Sequence, residues 1–184
     1  MREHGGPQLQ DRAIPGYPAE QLPAGITGLS ERGGPIVVGL GFIDAIPDAA
    51  ILAHEDPNDA NGDGISGRAN FVSAPTFLNP NADKILRDGK YLGRFGRKAT
   101  AINLLQQTAG AYLNDMGVTS EFEPMELFNA VLGNHLGDNV ADPEVATETI
   151  NNVVFYLQTL RVPARRNADA AEVRTGERIF AEIK

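Results

Sequence analysis

Apolar residues recur at three- and four-residue spacing in four stretches of the chain, and each stripe predicts a helix with one buried face. The clearest runs from Ala99 to Met116, where Ile102, Leu105, Ala109, Tyr112, Leu113 and Met116 share a side and Gly117 supplies a C-cap. Pro124 to Leu132 predicts a shorter helix through Met125, Leu127, Phe128 and Val131. Pro143 to Leu160 carries a third stripe of Val145, Ile150, Val153, Val154, Leu157 and Leu160. There Asp142 reads as the N-cap, Pro143 suits the first turn, Glu144 suits the positive end, and Pro163 stops the helix. A last helix from Ala170 to Lys184 lines up Val173, Ile179, Phe180 and Ile183. Tyr112 and Tyr156 fall on apolar faces and are placed in the core.

Ahead of these helices the periodicity fails. From Gly5 to Pro35, 12 of 31 residues are Gly or Pro, which favours extended strand and turns over helix or regular sheet. Ile36 to Gly41 is an apolar run ending in Gly-x-Gly, but Asp44 occupies the sixth position of a dinucleotide fingerprint and would face a pyrophosphate. Pro47 to Glu55 predicts a short helix, with Ile46, Ala50 and Ile51 on its buried side and Pro57 as its stop. The organisation expected is an irregular arm over residues 1–35 and a mainly α core over 36–184 with long irregular loops, the acidic one at 56–68.

With 184 residues, 42% of them hydrophobic, the chain is long enough for one domain with a real core. Its net charge of −8 makes nucleic acid a poor partner. It has no cysteine, so it forms no disulfide, no thiolate metal site and no thioether to a haem. No apolar run approaches the ~18 residues of a membrane span, and Met1 to Gly6 lacks the apolar centre of a secretion signal. His4, His54 and His135 are the histidines; none pairs at i, i+4, and no Ser-His-Asp or glycosidase spacing occurs, so no catalytic residue is assigned.

The densest chemistry lies at Asp56 to Arg68, Asp-Pro-Asn-Asp-Ala-Asn-Gly-Asp-Gly-Ile-Ser-Gly-Arg. Asp59, Asn61 and Asp63 alternate and Gly64 follows, the first half of a calcium-loop pattern. Counting Asp59 as position one, position twelve is Asn70 rather than the bidentate glutamate of an EF-hand. Two readings stay open: a calcium loop completed by residues from elsewhere, or a polar turn held by Asx caps without metal. In the first, Asp59, Asn61 and Asp63 give side-chain oxygens, Ile65 a carbonyl and Asp56 a further ligand, a flexible set that suits calcium over magnesium. His54 sits beside the loop, as a ligand or as a helix-end residue with a local hydrogen bond. Charge is also segregated. Residues 33–67 hold six acids and no Lys or Arg, whereas 83–98 hold Lys84, Arg87, Lys90, Arg94, Arg97 and Lys98 against Asp83 and Asp88. The basic run is either solvated surface or a patch facing carboxylates of a cofactor or of the acidic segment.

Several phrases in order carry a family likeness. They are Gly6-Pro7-Gln8-Leu9-Gln10-Asp11-Arg12-Ala13-Ile14-Pro15-Gly16, Val38-Gly39-Leu40-Gly41 with Ala45-Ile46-Pro47-Asp48, and Asp63-Gly64-Ile65-Ser66-Gly67-Arg68. Gly93-Arg94-Phe95-Gly96, Asp115-Met116-Gly117, Phe155-Tyr156-Leu157 and Pro163-Ala164-Arg165-Arg166 continue the series. Together they resemble the di-haem oxidoreductases, c-type cytochrome proteins related to bacterial di-haem cytochrome c peroxidases. The resemblance implies a cytochrome c-like helical fold, haem c as cofactor, a periplasmic location, and a redox partner protein or small oxidant as partner. It also implies two Cys-x-x-Cys-His motifs flanking the matching region, and this chain contains neither. The expectation is therefore an incomplete, inter-haem fragment, with a cytochrome c-like domain starting near 170–184. Arg94 and Arg97 are expected to face a haem propionate of the parent. Two readings of function follow. One is a fragment of a di-haem oxidoreductase that moves electrons or reduces peroxide, itself inactive in isolation. The other is a non-enzymatic, calcium-stabilised helical binding or structural module.

Overall fold

In the computed structural model the described residues are 8–22, 24–138 and 140–183. His4 and the Gly6-Pro7 start of the first family phrase lie outside them. Among the described residues five helices and one small sheet follow in order: α1 (Leu40–Ala45), α2 (Asp48–Leu52), β1 (Phe71–Val72), β2 (Leu86–Arg87), β3 (Lys90–Leu92), α3 (Leu104–Met116), α4 (Thr147–Thr159) and α5 (Ala171–Glu182). The fold is mixed, with 28% of the described residues helical, rather than the mainly α domain that the stripes predict.

Helices α3 and α4 pack on each other and α1 lies across α4. Between them Phe95, Ala101 and Leu104 are buried, with Leu40, Val154 and Leu157 packed against the cluster. Ile102, Ala109, Leu113 and Ile150 are at most 1% exposed and extend the same core. Helix α3 starts five residues later than its stripe because a reciprocal cap fixes its end. Asn103 accepts from Gln106 N at 3.0 Å, while Gln106 Oε1 accepts from Ile102 N at 2.9 Å. Its C-terminus is the predicted one, with Gly117 at φ 69°.

The N-terminus of α4 is displaced from Asp142 to Ala146. Residues 142–145 are instead tied laterally: Thr119 Oγ1 donates to Asp142, Thr119 N donates to Glu144 Oε2 at 2.8 Å, and Val145 N donates to Thr119 O at 3.0 Å. Asp142 therefore caps no helix, and the Asp142–Pro143 peptide is cis. The helix predicted over 124–132 does not form. The Asn129 side chain accepts from Val131 N at 2.9 Å and Leu132 N at 3.3 Å, a local turn that outcompetes helical bonds. Of that stripe Leu127 is buried, while Met125 and Val131 are exposed.

Strands β2 and β3 join through Asp88 at φ 52° and Gly89 at φ 72°, a two-residue hairpin turn. Strand β1 pairs antiparallel on the other side of β3, with Phe71 opposite Leu92. Helix α2 buries Asp48, not the Ile46, Ala50 and Ile51 side predicted for it, and Ile46 is exposed. Tyr156 is exposed rather than core, and α5 buries no residue. The described part of the arm has neither helix nor strand. It is held by Gln10, whose Nε2 donates to the Leu113 and Asn114 carbonyls at the end of α3.

Candidate functional site

Two glycine phrases bring α1 and the turn after β3 together. Gly41 lies so close to α4 that a Cβ would sit 2.0 Å from the Gln158 carbonyl oxygen. Gly39, at φ 79°, caps α1, and its N–H donates to the Leu160 carbonyl at 3.1 Å. After β3, a Cβ on Gly93 would sit 1.9 Å from the Ala99 carbonyl, so only glycine permits that approach. Phe95 enters the core, and Gly96 turns the chain at φ 78°.

Arg94, between them, points inward. Its Nη1 donates to the carbonyls of Ile43 at 3.1 Å, Asp44 at 3.2 Å and Ile46 at 2.7 Å, at the C-terminal end of α1. Its Nη2 pairs with Asp48, and both side chains are almost fully buried. The Arg94 Nε is buried without a partner. Asp48 also accepts from Ile85 N at 2.8 Å, with Lys84 Nζ at 3.7 Å. Arg87 makes two bonds to Glu55 and stacks over Phe71 at 4.2 Å from the ring centre. That Arg87 bond, aided by the Ala69 amide, holds Glu55 below the usual carboxylate range. Arg94, Arg87 and Lys84 of the basic run thus meet Asp48 and Glu55 of the acidic segment, upstream of the 56–68 loop.

Arg97 is exposed and donates through Nε and Nη2 to the Gly33 carbonyl of the arm. The structure therefore separates the two arginines named from the sequence: one is interior, the other reaches the surface.

The loop at 56–68 is closed by Asp56 N donating to Gly67 O at 2.9 Å. Its side-chain oxygens meet its own amides. Asp56 accepts from Ala60 N at 2.8 Å, Asp59 from Gly64 N at 3.1 Å, Asn61 from Asp63 N at 3.0 Å, and Asp63 from Ile65 N at 2.8 Å. Asp59 adopts φ 52°, and Gly62 and Gly64 take the left-handed values that such a curl requires. His54 is exposed at the end of α2.

A carboxylate cluster that spacing did not reveal gathers elsewhere. Glu126, Asp138 and Glu144 bring oxygens within 4.8 Å of one another and could hold a metal ion. Burial pushes Glu126 above the usual carboxylate range; the Gly137 amide opposes this, and Asp138, Asp142 and Glu144 add to it. All three lie in the connection between α3 and α4, outside any helix or strand, so only the folding of that connection unites them. Beside the cluster is a polar cavity of about 130 Å³, lined by Arg12, Glu20 and Asn129 among others. His135 Nδ1 contacts the Glu126 carbonyl at 2.8 Å, and its ring stands edge-on to Phe128.

These donors do not fit a covalently held haem. The chain has no cysteine for a thioether, and His135 is engaged with the backbone. Among the described residues no helix is long and apolar enough to cross a membrane. Residues 26–184 match the model of one protein family, described as "Di-haem oxidoreductase, putative peroxidase". No curated protein and no solved structure matches the chain.

Proposed function

The chain belongs to the di-haem oxidoreductase family, and on that premise we propose that it is the scaffold between the two haem sites of a periplasmic c-type oxidoreductase. The observation that carries this reading is a family match over residues 26–184 in a chain with no cysteine at all. Haem supplies the redox chemistry of such a protein, either electron transfer or peroxide reduction, and its attachment falls to residues outside this segment. The chain's own contribution is a rigid frame. The buried Asp48–Arg94 pair locks α1 and α2 to the turn after β3, and exposed Phe42, Phe155 and Phe180 leave apolar area for a neighbouring domain. Arg97 is the member of the arginine pair whose guanidinium reaches the surface, and within this reading it is the group that meets a propionate.

A pyridine haemochrome assay tests the reading. The 184 residues produced alongside a haem-attachment system should carry no haem c, and the longer product of the same coding region should carry two. Haem c bound covalently to the short chain, or none bound to the long one, overturns it.

One observation favours a second reading, a calcium-stabilised binding module without redox activity. The loop at 56–68 is already curled, with the Asp59, Asn61 and Asp63 side-chain oxygens drawn into one short segment by its own amides. Titration calorimetry on Asp63→Ala against the parent chain separates the cases. Equal calcium binding by the two leaves the loop as a polar turn, and calcium binding lost in the variant supports the module.

A further inference from the structure

We propose that Asn61 is a site of spontaneous deamidation, a modification that adds a fourth carboxylate to the 56–68 loop. Asn61-Gly62 is the single Asn-Gly pair in the chain, and both residues are exposed. A side chain following the asparagine would obstruct ring closure, and glycine has none. At Gly62, φ is +73° and no atom lies within 4 Å of where a Cβ would stand.

The side chain of Asn61 is already folded back over the peptide that follows it. Its Oδ1 accepts from Asp63 N at 3.0 Å, and its Nδ2 donates to Asp63 Oδ2 at 3.0 Å. That fold is compatible with closing the five-membered ring from Cγ to the Gly62 nitrogen. It also aims the Asp63 N–H at the oxygen that gains charge when the carbonyl is attacked, the role of an oxyanion donor. The step needs no outside reagent but water. The Gly62 N–H gives its proton to water, the nitrogen bonds to Asn61 Cγ, the bond from Cγ to Nδ2 breaks, and Nδ2 takes a proton back from water and leaves as ammonia. Water then opens the five-membered imide at either carbonyl, giving aspartate or isoaspartate. One contact opposes this: Gly62 N–H donates to the Asp59 carbonyl at 3.1 Å and must be released first.

Other asparagines lack the combination. Asn70 donates to the Lys98 and Ala99 carbonyls and precedes Phe71. Asn129 is buried and precedes Ala130. The product adds one negative charge to a chain already at −8. In its isoaspartate form it lengthens the backbone inside the turn, so the Asp63-to-Ile65 and Asn61-to-Asp63 bonds are lost together.

The test incubates the full chain at near-neutral pH and physiological temperature, then maps peptides by mass and separates charge forms by isoelectric focusing. The peptide holding Asn61 should gain about 1 Da on the order of tenfold faster than any other asparagine peptide, and Gly62→Ala should slow that gain about as much. Asn61→Gln should abolish the acidic band. An Asn61 peptide that gains mass no faster than the others, or equally fast in Gly62→Ala, overturns the proposal.

Discussion

Arg94 and Asp48, 46 positions apart, form an ion pair in which the two side chains are 2% and 1% exposed. The same guanidinium collects three carbonyls at the end of α1, so one side chain fixes two helices and the turn after β3. Arg94→Ala should therefore leave the buried Asp48 carboxyl with Lys84 and the Ile85 amide but without its guanidinium, and cost about 3–5 kcal/mol of stability. Urea unfolding checks this. If Asp48→Ala added to Arg94→Ala costs as much again, the two are not coupled and the anchor assignment fails.

Close backbone approach gives a second expectation. Gly41→Ala and Gly93→Ala each drive a Cβ to about van der Waals overlap with a carbonyl, at 2.0 Å and 1.9 Å. Each should destabilise the chain by about 1–3 kcal/mol or more. Gly64 has nothing near it but a φ of +81°, so Gly64→Ala should strain only the exposed loop, by about 1 kcal/mol. Thermal unfolding of the three variants ranks them, and an unperturbed Gly41→Ala would mean that α1 does not seat on α4.

Stability should also depend on pH through Glu126. Its carboxyl is raised in the folded chain, so its contribution is fully present below the unfolded value of 4.5 and is lost as pH rises through the raised one. Glu126→Gln, which keeps an oxygen for the Gly137 amide, should melt higher than the parent at pH 7 in EDTA. The gap should close toward pH 4.5. A variant that melts lower throughout would show that the carboxylate is favourably paired.

Glu55 runs the other way. Arg87 lowers its pKa, so the stabilisation exists above 4.5 and disappears as pH falls through the lowered value. Arg87→Gln should lower stability above pH 4.5 and so flatten the acid limb of the stability curve, as acid titration followed by circular dichroism would record.

Helix α5 buries nothing, whereas Leu104, Ala109 and Leu113 of α3 are at most 1% exposed. Amides of α3 should exchange on the order of a hundredfold more slowly than those of α5. Comparable protection in both would place a packing surface on α5.

Much was legible from local chemistry. The apolar stripes located α3, α4 and α5, because a helix that buries a face must repeat every 3.6 residues, and Gly117 marked an end because only a left-handed residue closes α3 there. The Asn103-x-x-Gln106 cap and the Asp88-Gly89 hairpin are equally local signals. The ordered phrases carried the family, and the structure gives several of them a physical reason: Gly39, Gly41, Gly93 and Gly96 are close approaches or left-handed turns. What the sequence could not decide were pairings across long separations. That Arg94 faces Asp48, that Thr119 holds Asp142 and Glu144 away from the helix they were placed in, and that Glu126, Asp138 and Glu144 converge all depend on where loops meet. A charge has no period. Its partner is chosen by which desolvated groups the folded chain sets side by side, and only the tertiary structure makes that choice.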